Sequence, residues 1–270
     1  MIKIDETILK EIKNKNSLDI TVILNIWKRN HFIEQLNSIF NQTLLPKEIW
    51  VIQYEKHLDL KNLIEEYKEF FPSLSHIHSS KNLKYFGRFS IAINVTTEYI
   101  FIVDDDVIPG RKWLNNAFKK CNEFNAIISC TGRILPKENF CPELPGTVER
   151  SKYFIGDMTY LFKNYCSQDT VVDYGCNSYF FKREWLSLFW AIWPTTFLSG
   201  EDMHLSASAK SIAGVQTYVI AQVDKDSCGN VKKAYGSDDV ASWRQNNFVK
   251  LREQVLKYHV LEKGWKPILW

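Results

Sequence analysis

The sequence predicts an α/β fold, a single domain on a mixed, mostly parallel central sheet. Three observations predict it. From Asp19 onward, short apolar runs alternate with segments whose apolar residues recur at helical spacing, the pattern of βαβ units. No internal repeat, low-complexity stretch or linker divides the 270 residues. The run Tyr99-Ile100-Phe101-Ile102-Val103 stops at three consecutive acids, Asp104, Asp105 and Asp106, followed by Val107-Ile108-Pro109-Gly110. Ligands of such sheets bind beyond the carboxyl ends of the strands, which is where these acids fall.

The elements follow in order. Residues 1–18 read as an amphipathic lead-in helix, with Ile4, Ile8, Leu9 and Ile12 on one face. Ile20 to Ile26 is a buried strand, and Phe32, Ile33, Leu36, Ile39 and Phe40 mark a helix. Ile49 to Tyr54 is the second strand. Leu60, Leu63, Ile64, Tyr67 and Phe70 mark the second helix, which Pro72 ends. Ser75 to His78 is a short strand, Ser90 to Val95 a helix, and Tyr99 to Val103 the strand that carries the acids. A helix over Trp113 to Phe124 precedes a strand over Ala126 to Cys130. Residues 132–170, with Pro136, Pro142, Pro145 and Gly146, read as loops and short strands. Val171-Val172 and Ser178 to Phe181 read as strands flanking a turn at Gly175. A helix from Glu201 to Ala213, a strand from Gln216 to Ile220 and a helical tail from Ser242 to His259 complete the chain. The expected organisation is a lead-in helix over 1–18, one domain over 19–241 in two halves, 19–110 and 111–241, and a helical tail over 242–270.

Composition narrows the function classes. Hydrophobic residues make up 45% and aromatics 14% of the chain, enough for a sizeable core. A net charge of +3 is too small to argue for nucleic acid as a partner. The start, Met1-Ile2-Lys3-Ile4-Asp5-Glu6, lacks the apolar stretch of a secretory signal. No apolar run reaches the roughly 20 residues that span a bilayer; the nearest, Trp185 to Leu198, is interrupted by Pro194. Six cysteines show no paired metal-site spacing, so they read as reduced thiols of a cytoplasmic protein, with peripheral membrane attachment left open. The sequons at Asn41 and Asn94 then carry no meaning. The last residues, Gly264 to Trp270, end on apolar side chains. Docking on the core, an interface, or a cut from a longer multidomain protein would each account for them.

Adjacent carboxylates repel one another, and a divalent cation relieves that repulsion. Mg²⁺ and Mn²⁺ prefer hard carboxylate oxygens, and Mg²⁺ is usually held by one or two carboxylates plus substrate phosphates. Asp104 to Asp106 therefore read either as a metal-bridged phosphate site or as a solvated acidic turn helped by Pro109-Gly110. A second acidic element, Gly200-Glu201-Asp202, opens a helix about a hundred residues later. There it is either a dipole-favoured decoration or a general base, if the fold brings both elements to one rim. The run Trp185, Phe189, Trp190 and Trp193 reads as core packing or as a sugar-stacking surface.

Thr21-Val22-Ile23-Leu24-Asn25-Ile26-Trp27-Lys28-Arg29 resembles the opening strand and aromatic-basic turn of glycosyltransferases with the GT-A fold, family 2 in particular. Asn37 to Thr43 followed by Pro46-Lys47-Glu48-Ile49 is similar to that family's next helix-to-strand passage. Asn82 and Gly87-Arg88 resemble its following nucleotide-side segment. Asp104-Asp105-Asp106 matches the DxD position, and Gly200-Glu201-Asp202 the later "ED" position. The resemblance covers about residues 19–220, with five motifs in order.

It implies a Rossmann-like, metal-dependent transferase. Such an enzyme moves a sugar from a UDP- or dTDP-linked donor to a hydroxyl of a glycan or lipid-linked glycan, with inversion, using Mn²⁺ or Mg²⁺. Asp106 would bind the metal and Asp104 the metal or the donor ribose, with Asp105 in support. Trp27 would lie near the nucleoside, Arg29 near the base or diphosphate, and Arg88 on the diphosphate. Asn25 and Asn82 would also face the donor. Asp202 would be the base and Glu201 would orient sugar hydroxyls. Asp173, Gly200 and Trp185 would serve the acceptor, Asp173 either binding it or capping a turn.

Two departures qualify this. Gln53-Tyr54-Glu55 stands where many members read the base with acids, so Gln53 would have to meet a pyrimidine edge. The only histidine after His204 is His259 in the tail helix, so Asp224 or Asp226 would substitute as metal ligand, or the metal would have only the DxD ligands. His204 reads as structural. A sugar-nucleotide nucleotidyltransferase is the first alternative, though it usually needs a glycine-rich loop that Asn25 to Asn30 lacks. A catalytically silent carbohydrate-binding module of the same fold is the second.

Overall fold

The computed structural model describes residues 12, 15–137, 140, 154–156 and 166–270. The expected lead-in helix lies almost wholly outside them; Ile12 belongs to the core and β1 already begins at Ser17.

The first half is a regular alternation. β1 (Ser17–Ile26) leads to α1 (Phe32–Phe40), β2 (Leu45–Tyr54), α2 (Lys61–Lys68), β3 (Leu74–Ser79), α3 (Lys84–Ala92) and β4 (Tyr99–Val103). β1 is buried from Ile20 to Ile26 and every residue of β4 is buried, as expected of strands covered on both faces. Parallel pairing joins β3 to β2, β2 to β1 and β1 to β4. The third helix begins at Lys84, six residues before the sequence-based reading. Gly87 lies inside it. Here the glycine allows close packing: a Cβ at Gly87 would lie 2.6 Å from the Tyr54 hydroxyl.

The second half adds α4 (Trp113–Phe124), β5 (Ile127–Arg133), β6 (Phe154–Ile155), β7 (Thr170–Val172), β8 (Tyr174–Lys182), α5 (Leu186–Ala191), α6 (Glu201–Ala213), β9 (Thr217–Val219) and α7 (Phe248–Lys257). The sheet order is β3-β2-β1-β4-β8-β5-β9-β7, with β6 on β5. β8 runs antiparallel between β4 and β5, so the sheet continues unbroken from one half into the other. One apolar cluster, from Ile12 to Ile220, fills both halves.

The turn expected at Gly175 is instead strand. β8 runs from Tyr174 through Gly175, because a Cβ there would sit 2.5 Å from that of Ser129 on the neighbouring strand. Glycine marks a close backbone approach at this point, not a reversal. α6 covers its expected span, Glu201–Ala213. The tail is less uniform than expected, with a 3₁₀ turn at Ser242–Arg244 before α7 and a π-helical turn at Tyr258–Glu262 after it. α7 packs on α6, and Met203, Val255, Leu256 and Trp265 share a second apolar cluster. Among the described residues no helix is long and apolar enough to cross a membrane.

Candidate active site

The carboxyl ends of β1, β2 and β4 open onto one cleft of about 550 Å³. Asn25, Trp27, Arg29 and Tyr54 line it from the first two strands and the turn after β1, and Asn82, Lys84, Tyr85 and Arg88 from the α3 side. Asp104, Asp105 and Asp106 line it at the end of β4, and Leu198 and Ser199 just ahead of α6. Residues 236–251 close the remaining wall with Gly236, Trp243, Phe248 and Leu251.

Arg88 assembles the site. Its guanidinium donates through Nη1 to Asp104 Oδ1 and through Nη2 to Glu201 Oε1 at 2.8 Å. Two acidic elements about a hundred residues apart are therefore held by one buried cation. Arg29 makes a second clamp. Its Nη1 donates to Asp105 and lies 3.1 Å from Asp106 Oδ2, while Nε and Nη2 reach both oxygens of Asp238 at 2.7 and 2.8 Å. A third cation, Arg252 on α7, donates to both oxygens of Asp202 at 2.8 and 2.9 Å.

The electrostatics follow from this crowding. Burial pushes Asp104 up to about 6, with Arg88 opposing and Asp106 adding to the rise. Burial likewise lifts Asp106 to about 6, helped by Asp105 and opposed by Arg29. Asp105 rises through burial against the pull of Arg29. Glu201 is pushed up to about 7, chiefly by burial and then by the charge of Asp202. Burial works to lower Arg29, but Asp238, Asp105 and Asp106 outweigh it and hold the guanidinium above its ordinary value.

The donor set suits a hard divalent cation. Among the described residues, Asp104, Asp105, Asp106, Glu201, Asp202 and Asp238 form ion pairs with Arg29, Arg88 and Arg252, a carboxylate-rich cluster of the hard oxygen donors that such a cation prefers. Among the described residues no group of three His, Cys, Asp or Glu side chains forms a metal cage. A cation at Asp104 and Asp106 would therefore complete its shell with ligand oxygens, the usual situation of Mg²⁺ beside phosphates.

Among the described residues several buried polar atoms have no hydrogen-bond partner, and three of them, Asn25 Oδ1, Tyr54 Oη and Arg88 Nε, belong to residues that line the cleft. Buried polar groups are normally satisfied, so a polar ligand in the cleft would find these three available.

A family model described as Glycosyl transferase family 2 matches residues 8–186. The chain belongs to glycosyl transferase family 2. Among solved structures it is similar to S. aureus TarS, at 16% identity and a TM-score of 0.47, over 75% of this chain and 36% of that one. It is also similar to S. aureus TarS 1-349, at 17% identity and a TM-score of 0.47, over 75% of this chain and 60% of that one. The chain thus spans less than two thirds of either structure's length. A search of curated proteins gives no match.

Within this family-2 fold the structure brings Asn25, Trp27, Arg29, Asn82, Arg88 and Asp104 to Asp106 to one cleft. Asn82 Oδ1 also accepts the Lys84 amide at 2.7 Å, shaping the entry to α3. Glu201 and Asp202 stand behind the cleft wall: Glu201 is bonded to Arg88, which lines the cleft, and Asp202 to Arg252, which does not. Gly200 precedes them at φ 84°, and a Cβ there would meet Val255 Cγ2 at 2.9 Å.

Six of the expected site residues fall outside the cleft lining: Gly200, Glu201 and Asp202, and also Gln53, Asp173 and Trp185. Gln53 donates to Leu58 O at 2.9 Å and bonds the His76 ring at 3.1 Å. Asp173 accepts the amides of Leu135 and Ile268, each at 2.7 Å, and so ties the tail to the sheet. Trp185 is buried in the main core. Asp224 caps its own turn through the Ser227 amide at 2.7 Å, and Asp226 faces Lys112. The late acid that reaches the triplet's ion-pair network is Asp238.

His204 and His259 are buried against each other. His204 Nε2 donates to Phe189 O at 2.9 Å, and His204 Nδ1 accepts from His259 Nε2 at 2.9 Å. Gln35 and Asn230 complete the frame. Gln35 donates to Asp104 O at 2.7 Å and Val107 O at 3.1 Å, while Asn230 donates to Asp106 O at 3.3 Å. The amides thus pin the backbone of the acidic turn from α1 and from the late loop. No sequence signal marks either residue.

Proposed function

We propose that this chain transfers a sugar from a nucleotide-sugar donor, UDP- or dTDP-linked, to a hydroxyl of a glycan acceptor, with inversion at the anomeric carbon. The observation that carries the reading is the Arg88 bridge, which ties Asp104 on the cleft to Glu201 beside Asp202. On this reading the leaving-group site and the attacking-group site would be neighbours.

The nucleoside would lie against Trp27, with Asn25 Oδ1 and Tyr54 Oη meeting its polar atoms. Arg29 would face the diphosphate, where a planar guanidinium matches phosphate oxygens in pairs. Arg88, held by two carboxylates, would offer its remaining Nε–H. Asp104 and Asp106 would hold Mn²⁺ or Mg²⁺, which supplies charge neutralisation for the departing diphosphate. Asp202 would accept the proton of the attacking hydroxyl, and Glu201 would orient the acceptor's hydroxyls. Arg252 fixes where the Asp202 carboxylate points. A proton acceptor must be aimed before it is basic enough to matter.

The test is incubation with Mn²⁺ and a panel of UDP-, dTDP- and GDP-sugars. Release of UDP or dTDP, accelerated by a glycan, is the expected result. Release from none of the donors, with the folded protein verified, would leave the catalytically silent alternative standing. Release of pyrophosphate from a nucleoside triphosphate and a sugar phosphate would favour the nucleotidyltransferase alternative.

A further inference from the structure

The aromatic run around Trp185 divides in the fold. Trp185 and Phe189 are buried in the core, whereas Trp193 is 70% exposed. Phe197 and Leu198, on the same loop between α5 and α6, are 41% and 55% exposed. These three form a continuous apolar ledge. Trp193 and Phe197 meet edge to face at 5.6 Å, and Phe197 rests at 5.2 Å on Phe86 of α3, two residues before Arg88.

The ledge is built and positioned. Phe86 packs at 5.6 Å on buried Phe189, so the ledge is rooted in the core. Tyr258 donates to Trp193 O at 3.2 Å, and Thr196 Oγ1 accepts the Leu198 amide at 3.1 Å. The surface also continues the cleft, since Leu198 and Ser199 line it and the chain passes from there directly into Gly200-Glu201-Asp202. Exposed Trp243 lines the cleft as well, but Arg244 covers its ring at 4.6 Å and its Nε1 is bonded to Gly236 O. Among the described residues, the only aromatic contact of Trp193 is the edge-to-face one with Phe197.

We propose that the Trp193-Phe197-Leu198 ledge is an acceptor subsite for a saccharide chain, stacking the sugar next to, or one beyond, the one that receives the transfer. The proposal rests on the glycosyltransferase reading above and deepens it by naming the acceptor as an oligosaccharide or polysaccharide. The C–H faces of pyranose rings are apolar and pack on aromatic faces, while their hydroxyls stay in water at the rim. Contiguous exposed apolar surface is one of the marks of a ligand-binding groove, and this one adjoins the cleft through Leu198. A cleft of about 550 Å³ is of ordinary small-ligand size, and the donor would occupy most of it. A longer acceptor would therefore leave past Leu198 and over the ledge.

The experiment compares wild-type protein with Trp193→Ala and Phe197→Ala on a printed glycan array, alongside UDP titrations with Mn²⁺ by calorimetry. Trp193 is largely exposed, so its substitution should leave folding intact. Wild type should retain a subset of glycans of three or more sugars, and Trp193→Ala should weaken retention about tenfold, the equivalent of one lost ring contact. UDP affinity should not change.

Equal retention by Trp193→Ala, or no glycan retained by wild type, would overturn the ledge. So would Trp193-dependent binding to phosphatidylglycerol vesicles in place of glycans, which would make the surface a membrane contact. If UDP also fails to bind, the glycosyltransferase reading fails with it; if UDP binds while the array stays silent, only the ledge fails.

Discussion

Arg252 grips Asp202 by both carboxylate oxygens, at 2.8 and 2.9 Å, with both side chains buried. The pair joins the tail helix α7 to the first turn of α6. It also reaches across 50 residues of sequence, so that a residue of the expected C-terminal tail governs the carboxylate proposed as base.

Removing one partner of a buried ion pair leaves the other charge uncompensated, at a cost of about 3–5 kcal/mol. Arg252→Ala should therefore lose stability on that order in denaturant melts, together with transfer. Arg252→Lys keeps the charge but cannot make two parallel bonds. It should recover most of the stability and little of the turnover. Full turnover in Arg252→Lys would show that aiming Asp202 is not the function of the pair.

Asp106→Ala should abolish the Mn²⁺-dependent part of UDP binding. Burial and then the charge of Asp105 disfavour the ionised carboxylate, and Arg29 opposes them only in part, so a cation there would relieve the crowding. Calorimetry with and without Mn²⁺ reads this directly. An unchanged affinity would remove the metal role from Asp106.

The buried histidine pair predicts a loss of stability in acid. Burial holds His204 down at about 4 and His259 at about 3, the latter helped by the charges of His204 and Lys263. Both lie below the ordinary 6.5, so the unfolded chain binds the extra protons first. Their contribution is fully present above pH 6.5 and fades as pH falls toward 4. The slope should amount to about 2 kcal/mol per histidine between pH 7 and pH 5. Urea midpoints at the two pH values measure it, and His259→Phe should remove part of the difference. A His259→Phe variant as acid-sensitive as wild type would contradict the assignment.

The sequence showed most of the frame. β1 and β4 were readable because strands buried on both faces give nearly continuous apolar runs, whereas β3 is polar and mostly part-exposed. Asp104 to Asp106 stood out because acids at a strand end need an explanation. Gly175 misled, since a glycine that admits a close neighbour looks the same in sequence as one that makes a turn. Gln53, Asp173 and Trp185 were plausible by position, but the direction of a side chain depends on which neighbours fill the space around it. Gln35, Asn230, Asp238 and Arg252 could not be found at all. Each acts through a contact more than 45 residues away along the chain, and nothing local marks such a partner.

The central claim is that Asp202 takes the acceptor's proton while the aspartate triplet holds the leaving group. It is tested most directly by comparing Asp202→Asn with wild type for transfer rate and for UDP–Mn²⁺ affinity in the same preparation. The account predicts a fall in transfer of roughly 10²–10⁴-fold, the usual contribution of a general base, with donor affinity unchanged. Transfer at the wild-type rate in Asp202→Asn would contradict it.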